Sequence, residues 1–214
     1  MDTYLSFALL CFTSFVTLMN PLGIMPVFMT MTDSLDKQER KVIARKANMV
    51  AALTLILFAF SGQLLFKFFG ISVNSFRMVG GIIFFMMGWD MLQAKLVKVK
   101  MNKKSVNREY EDDISVTPLA IPMICGPGAI TNAIVLMEDA KTFEMKGIVI
   151  GSILLVCFLS FLVLWSSGKI TVLIGKTGNK IMMRLMGLIM MVIAVEFFFS
   201  GLQPILKEII HAQA

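Results

Sequence analysis

Four stretches of the sequence are long enough to cross a lipid bilayer and contain no charged side chain. They cover residues 3–32, 47–66, 114–137 and 147–168. A helix needs about 20 mainly apolar residues to span the hydrocarbon core, so each stretch predicts a transmembrane helix. Two further apolar stretches, near 72–93 and 181–203, are interrupted by charged residues. We therefore predict an all-α, polytopic membrane protein with six transmembrane helices, called spans 1 to 6 in chain order.

The composition agrees with a chain that lies mostly in lipid. Hydrophobic residues make up 57% of the 214 residues and charged residues 16%, whereas soluble domains average about 45–50% apolar and about 25% charged residues. This excludes an ordinary soluble enzyme, a secreted disulfide scaffold and a disordered chain. The net charge of +6 does not indicate a nucleic-acid partner, because the basic residues lie between the apolar stretches. No cofactor or metal site is expected, because the three cysteines lie in apolar stretches without zinc-ligand spacing.

The distribution of Lys and Arg predicts the orientation of the chain. Fifteen of the 20 basic residues follow spans 1, 3 and 5, and basic loops stay on the cytoplasmic side of a membrane. Both termini should therefore face away from the cytoplasm. The N-terminus has Asp2 and no basic residue before its apolar run, so we expect no cleaved signal peptide and a retained span 1.

The two halves of the chain share landmarks at a nearly constant offset. Residues 20–24 (NPLGI) correspond to 126–130 (GPGAI) at an offset of 106, and further matches agree within one residue. Each half holds three spans, an odd number, so the second half should enter the membrane from the opposite side, as in the inverted repeats of many secondary transporters. The predicted units are residues 1–93 and 114–214, joined by a polar cytoplasmic connector over 94–113.

A helix breaker lies near the middle of the first span of each repeat. Residues 20–23 (NPLG) interrupt span 1, and residues 126–128 (GPG) interrupt span 4. Proline removes a backbone donor but is favoured at the first position of a helix, so half-helices should begin at Pro21 and Pro127. Broken backbone is tolerated in lipid only where it is buried in protein or lines a cavity. The alternative is that these prolines only kink the helices for packing.

The two half-helix starts suit a small zwitterion. Helix N-termini favour a carboxylate, nearby free carbonyl groups suit an ammonium group, and the glycines leave room only for a small ligand. The candidate substrate-binding residues are Asn20, Pro21, Gly23, Gly126, Pro127, Gly128, Thr131 and Asn132, with Thr13, Ser14 and Thr17 as further polar groups.

Four charged residues lie inside the predicted spans, where such groups usually pair or line a pathway. They are Arg77, Asp90, Arg184 and Glu196. Arg77 and Asp90 are separated by about 20 Å along one helix, which is too far for contact. Inversion would place Arg77 near Glu196 and Arg184 near Asp90, so we predict these two ion pairs if spans 3 and 6 are neighbours. Either the pairs maintain the helix register, or Asp90 or Glu196 couples transport to protons.

Three motifs give the chain a resemblance to the MarC family of membrane proteins. They are MNPLGIMP at 19–26, PLAIPMICGPGAIT at 118–131, and RMVGG at 77–81 leading to Asp90. The resemblance covers nearly the whole chain. It implies a six-helix inner-membrane protein of bacteria or archaea that transports small neutral amino acids such as alanine and glycine. The family commonly carries an amide at the position of Glu196, and the carboxylate here implies altered coupling or a stronger partner for Arg77.

The leading hypothesis is a secondary transporter of small neutral amino acids. The alternative is a channel or exporter for another small solute, including a role related to drug efflux. An enzyme is not expected, because His211 is the only histidine and no triad, zinc or phosphate-loop motif is present. The sequence leaves open the direction of transport, the coupling to protons or sodium, and the oligomeric state.

Overall fold

The computed structural model describes residues 2–33, 35–93 and 115–211, and the regular structure in these ranges is helical. A break at Gly175 (φ 69°) divides the last helix into a first arm and a second arm. The predicted connector over 94–113 lies outside the described residues. The helices are α1 (Asp2–Met19), α2 (Pro21–Met31), α3 (Lys37–Phe69), α4 (Val73–Leu92), α5 (Pro127–Asp139) and α6 (Phe143–His211), with a kinked segment Ser115–Ile124 before α5.

Five helices in the described ranges are long and apolar enough to cross a membrane. They are Thr3–Met31, Lys37–Phe69, Val73–Leu92, Phe143–Gly168 and Thr177–Lys207. A sixth span is present if the pair Thr117–Ile124 and Pro127–Asp139, bent by 51°, crosses as one. The chain is therefore an all-helical, polytopic membrane protein with five or six candidate spans and one bent helix pair.

Capping groups explain why α3 begins ten residues before its apolar stretch. The Asp36 carboxylate accepts hydrogen bonds from the N–H groups of Gln38 (2.7 Å) and Glu39 (2.8 Å), and the Glu39 carboxylate accepts from the Asp36 N–H (2.8 Å). This reciprocal capping box satisfies N–H groups that a helix start leaves free. The first ten residues of α3 therefore form a charged helical extension of span 2.

The half-helices α2 and α5 form the centre of the bundle. Most of their residues are buried. In contrast, at most 28% of the most apolar 18-residue stretch is buried in each of α3, α4 and the second arm of α6. Because irregular backbone needs to be shielded from lipid, the long helices enclose the two segments that contain the interruptions.

Helix α4 and the second arm of α6 pack closely in antiparallel directions. A Cβ built onto Gly88 would lie 2.8 Å from the Gly187 carbonyl oxygen, and a Cβ built onto Gly81 would lie 2.8 Å from the Ala194 carbonyl oxygen. Only glycine permits this approach of two helix backbones. Spans 3 and 6 are therefore neighbours along their length.

Candidate functional site

The interruption of span 1 is at Asn20. This residue adopts a left-handed conformation (φ 40°, ψ 65°), which Asn tolerates better than most residues. Its backbone carbonyl and its side-chain oxygen both accept a hydrogen bond from the Gly23 N–H, at 2.9 and 3.1 Å. Pro21, at the first position of α2, has no N–H to satisfy. The start of α2 is therefore capped by the residue that interrupts the span.

Gly23 is required by this cap. A Cβ built onto Gly23 would lie 2.8 Å from the Asn20 side-chain Cγ, so a larger residue would displace the capping amide. The predicted pattern of Asn, Pro and Gly thus encodes one compact local structure.

The interruption of span 4 has a different local structure. Thr117 and Ile121 have extended rather than helical backbone angles, and the peptide bonds to Pro118 and Pro122 are cis. Helix α5 then begins at Pro127, with Gly126 in an extended conformation (φ −80°, ψ 169°) and no side-chain hydrogen bond to the helix start. The first N–H groups of α5, on Gly128 and Ala129, therefore lack a side-chain cap.

Residues from three other spans surround the start of α5. Gly126 lies against the Phe84 ring, and Gly80 lies against the Pro127 ring. A Cβ built onto Gly128 would lie 3.3 Å from Leu18 Cδ2 and 3.5 Å from Phe197 Cζ. Leu18 comes two residues before Asn20, so the two interruptions approach each other inside the bundle.

Two polar side chains on α5 have buried atoms without a partner. Thr131 is 1% exposed, and its Oγ1 neither donates nor accepts a hydrogen bond within the described part of the chain. The Asn132 Nδ2 is buried and likewise unpartnered there. A buried polar group without a partner costs about 1–3 kcal/mol, so both atoms are suited to a polar ligand or to water.

Three hydroxyl groups on α1 do not extend this polar site. Thr13, Ser14 and Thr17 donate to the backbone carbonyls of Leu9 (2.7 Å), Leu10 (2.5 Å) and Thr13 (2.8 Å) in their own helix. The side chains of Thr13 and Thr17 are also exposed on the surface of the bundle. Sequence alone does not show which face of α1 is turned inward.

A polar contact between α2 and α6 was not expected from the sequence. The Asn179 Nδ2 donates a hydrogen bond to Thr30 Oγ1 at 3.1 Å, and Thr30 donates to the Pro26 carbonyl at 2.9 Å. This contact joins the end of α2 to the second arm of α6. In the sequence, Asn179 matches Asn74 at an offset of 105 residues, but this match does not predict Thr30 as its partner.

The charged residues of spans 3 and 6 lie at matching depths but do not form the predicted ion pairs. The facing pairs Gly88 with Gly187 and Gly81 with Ala194 fix the register of the two antiparallel helices. In this register, the positions of Asp90 and Arg184 along the helix axis differ by at most about 3 Å, and so do those of Arg77 and Glu196. No ion pair joins either couple among the described residues.

The physical reason is the direction of the side chains around the two helices. Asp90, Arg184 and Glu196 are exposed on the surface of the helix pair. Arg77 packs against Gly201, where a Cβ built onto the glycine would lie 3.0 Å from the Arg77 Cβ. Glycine contacts therefore set the register of α4 and the second arm of α6. A role of these charges in pairing or proton coupling stays a prediction.

Possible metal ligands are not clustered in the described ranges, and the cysteines lie in the apolar interior. These ranges contain no group of three or more His, Cys, Asp or Glu side chains that could hold a metal ion. The cysteines are free and buried, as expected for small apolar residues; they are Cys11, Cys125 and Cys157.

Comparison with known proteins identifies the family. The family model described as MarC family integral membrane protein matches residues 5–206. The chain belongs to the MarC family. It is 38% identical over 200 residues to UPF0056 membrane protein MJ1677 of Methanocaldococcus jannaschii, covering 93% of this chain and 97% of the relative. No solved structure matches the chain.

Relatives of this MarC protein occur in both archaea and bacteria. UPF0056 membrane protein PH0760 of Pyrococcus horikoshii is 37% identical over 195 residues, which are 91% of this chain and 94% of the relative. UPF0056 membrane protein YvbG of Bacillus subtilis is 37% identical over 200 residues, which are 92% and 95% of the two chains. The similarity therefore covers all of the spans described above.

Proposed function

We propose that the protein is a secondary transporter of small neutral amino acids of the alanine and glycine class. The observation that carries this proposal is the buried start of α5, which has no side-chain cap and lies beside the unpartnered Thr131 hydroxyl. An uncapped helix start carries partial positive charge and free N–H donors. A carboxylate is the matching group, and no side chain in the described part of the chain caps this helix start.

The same region offers acceptors for the ammonium group of an amino acid. The Pro122 carbonyl oxygen lies next to Gly126, 2.8 Å from a Cβ built onto that glycine. Together with the Thr131 hydroxyl, this oxygen would complement the positive end of the substrate. The N–H groups of Gly128 and Ala129 would complement its negative end.

The walls of the site favour a small substrate. Phe84, Phe197 and Leu18 approach the glycines at the start of α5 within van der Waals distance. This close packing leaves little room at the start of α5, so a substrate bound there would have to be small. This supports alanine and glycine over larger neutral amino acids.

We also propose that the two halves are inverted repeats that lie in the inner membrane with both termini outside the cytoplasm. With an offset of 106 residues, Gly88 in the first half corresponds to Ala194, and Gly187 in the second half corresponds to Gly81. The contact between Gly88 and Gly187 therefore has a counterpart between Ala194 and Gly81, and both contacts are present. Such reciprocal contacts support a pseudo-two-fold axis between spans 3 and 6. Asp90 and Glu196 are the candidate groups for coupling to protons or sodium.

Uptake into proteoliposomes tests the proposal. Reconstituted protein should accumulate labelled alanine and glycine in a saturable manner under an imposed proton or sodium gradient. Internal unlabelled alanine should accelerate exchange, because a carrier alternates between two openings and a channel does not. Leucine should compete poorly.

Two results would decide against this function. Uptake that rises linearly with concentration and shows no counterflow would indicate the alternative, a channel or exporter for another small solute. Absence of alanine and glycine uptake under every gradient, from protein with an intact helical circular dichroism spectrum, would reject the amino-acid substrate.

A further inference from the structure

A groove of about 330 Å³ lies between α3 and the first arm of α6, away from the half-helix starts. On α3 it is lined by residues spaced three or four apart, and the facing stripe of α6 has the same spacing. Each helix therefore contributes one narrow face. The lining residues used below are Arg45, Asn48, Met49, Ala52, Leu154 and Phe158.

Asn48, which lines this groove, has a buried and unsatisfied acceptor. Its side chain is 4% exposed, and its Nδ2 donates to the Ala44 carbonyl at 2.8 Å. The Oδ1 has no hydrogen-bond partner in the described part of the chain. Because the amide nitrogen is already bonded to a carbonyl, the free atom is the oxygen, and it needs a donor.

Basic side chains lie at one end of the groove. Arg45 is exposed and forms no ion pair with another described residue. Lys41 lies one turn earlier on α3, with its Nζ 5.2 Å from the centroid of the Trp165 ring. Trp165 stacks on Phe161, which also lines the groove, with 6.1 Å between ring centroids. This end coincides with the start of the apolar stretch of α3, where a bilayer places its phosphate groups.

We propose that this groove binds a lysophospholipid with an anionic headgroup. Arg45 and Lys41 contact the phosphate, and the free hydroxyl of the glycerol donates a hydrogen bond to Asn48 Oδ1. The single acyl chain lies along Met49, Ala52, Leu154 and Phe158.

Depth within the bilayer selects this class of lipid. Asn48 lies three residues from Arg45, about 4.5 Å further along the helix axis, which is the level of the glycerol rather than of the headgroup. A diacyl phospholipid presents only ester oxygens at this level, and these cannot donate. A lysophospholipid has one hydroxyl there, and its single chain matches a groove one helix face wide on each side.

Tryptophan quenching in nanodiscs tests the proposal. The chain has two tryptophans, so the Trp89→Phe variant leaves Trp165 as the only reporter beside the groove. Lysophosphatidylglycerol that carries bromine on the acyl carbons next to the ester is titrated into phosphatidylcholine nanodiscs that contain the full chain. Quenching should saturate, with half-saturation at about fivefold lower lipid than for brominated lysophosphatidylcholine.

Two variants assign the contacts. Arg45→Gln should remove the preference for the anionic headgroup, whereas Lys67→Gln at the opposite end of α3 should not. Asn48→Leu should remove the preference for lysophosphatidylglycerol over brominated diacyl phosphatidylglycerol, which we expect to be about threefold to tenfold in the unaltered groove.

A lipid analogue provides the same test without a change in the protein. Methylation of the free hydroxyl on the glycerol that carries the acyl chain should weaken binding by about as much as Asn48→Leu. The proposal is overturned if quenching is linear in lipid concentration and equal for all lipids, which would indicate random lipid contact. It is also overturned if the methylated or diacyl lipid binds as tightly as the lysophospholipid.

Discussion

The half-helices α2 and α5 begin at prolines that are 106 residues apart, yet their first turns are satisfied in different ways. At α2 the Asn20 side chain returns to the Gly23 N–H at 3.1 Å. At α5 the corresponding residue is Gly126, which has no side chain to donate or accept. One helix start is therefore closed by its own sequence, and the other is left available to a ligand.

This difference assigns separate roles to two motifs that look alike in the sequence. The span 1 motif stabilises a break in the backbone, and the span 4 motif presents unoccupied donors next to a buried hydroxyl. A substrate carboxylate is therefore expected at α5 rather than shared equally between both starts. The predictions below test that division of roles, from the largest expected effect to the smallest.

Gly128→Leu should have the largest effect, because it fills the space in front of the α5 start. A Cβ at this position already contacts Leu18 and Phe197. We expect alanine uptake to fall by about 100-fold. Gly151→Leu is the matched control, since nothing lies within 4 Å of a Cβ built onto Gly151. Uptake that survives Gly128→Leu would show that substrate does not bind at α5.

Asn20→Ala should mainly reduce stability. It removes the cap, worth about 1 kcal/mol, and places alanine in a left-handed conformation, which costs roughly 1 kcal/mol more. The free energy of unfolding in micelles should therefore fall by about 2 kcal/mol. Asn20→Gly should lower it by only a few tenths of a kcal/mol and leave the KM for alanine unchanged. An increase in KM for Asn20→Gly would mean that the α2 start also binds substrate.

Thr131→Val should weaken transport while it stabilises the protein. The hydroxyl has no hydrogen-bond partner among the described residues, so its replacement by a methyl group should raise the free energy of unfolding by about 1 kcal/mol. The KM for alanine should rise about tenfold, because a hydrogen bond to a charged substrate group is lost. Thr13→Val, which alters an exposed hydroxyl bonded within α1, should change neither quantity. Unchanged KM in Thr131→Val would separate this hydroxyl from the site.

Thr30→Val should have the smallest effect, because it lies at the far end of α2. It leaves the Asn179 Nδ2 without its acceptor and should lower the free energy of unfolding by about 1 kcal/mol. A double-mutant cycle with Asn179→Leu should give a coupling energy of at least about 0.5 kcal/mol. Additive effects would show that the contact does not hold α2 against α6. The KM for alanine should stay the same.

Much of the fold follows from the sequence because its causes are local. Charge-free stretches predict the spans, since burying a charge in lipid is costly. The breaks at Asn20 and Gly126 follow from proline chemistry and from residues that suit a helix start. The start of α3 at Lys37 was missed, although Asp36 and Glu39 carry the signature of a capping box.

The candidate site was only partly predictable. The sequence indicates Thr131 and Asn132 as polar residues near a break, but it also indicates Thr13 and Thr17, whose side chains are exposed. Hydrophobicity is too uniform along α1 to distinguish its inner face from its outer face. The predicted charge pairs depended on side-chain direction around two helices, which spacing along the chain does not specify.

The sequence by itself thus determines which segments are apolar enough to cross a membrane and where proline and glycine interrupt two of them, because these effects act within a few residues. It also contains the motifs by which the chain resembles its family. The tertiary structure alone decides that Phe84, Phe197 and Leu18 surround the α5 start, and that Asn179 contacts Thr30. These contacts join residues far apart in the chain through close packing of helix backbones. Packing depends on the shapes of all the helices together, so no single segment contains that information.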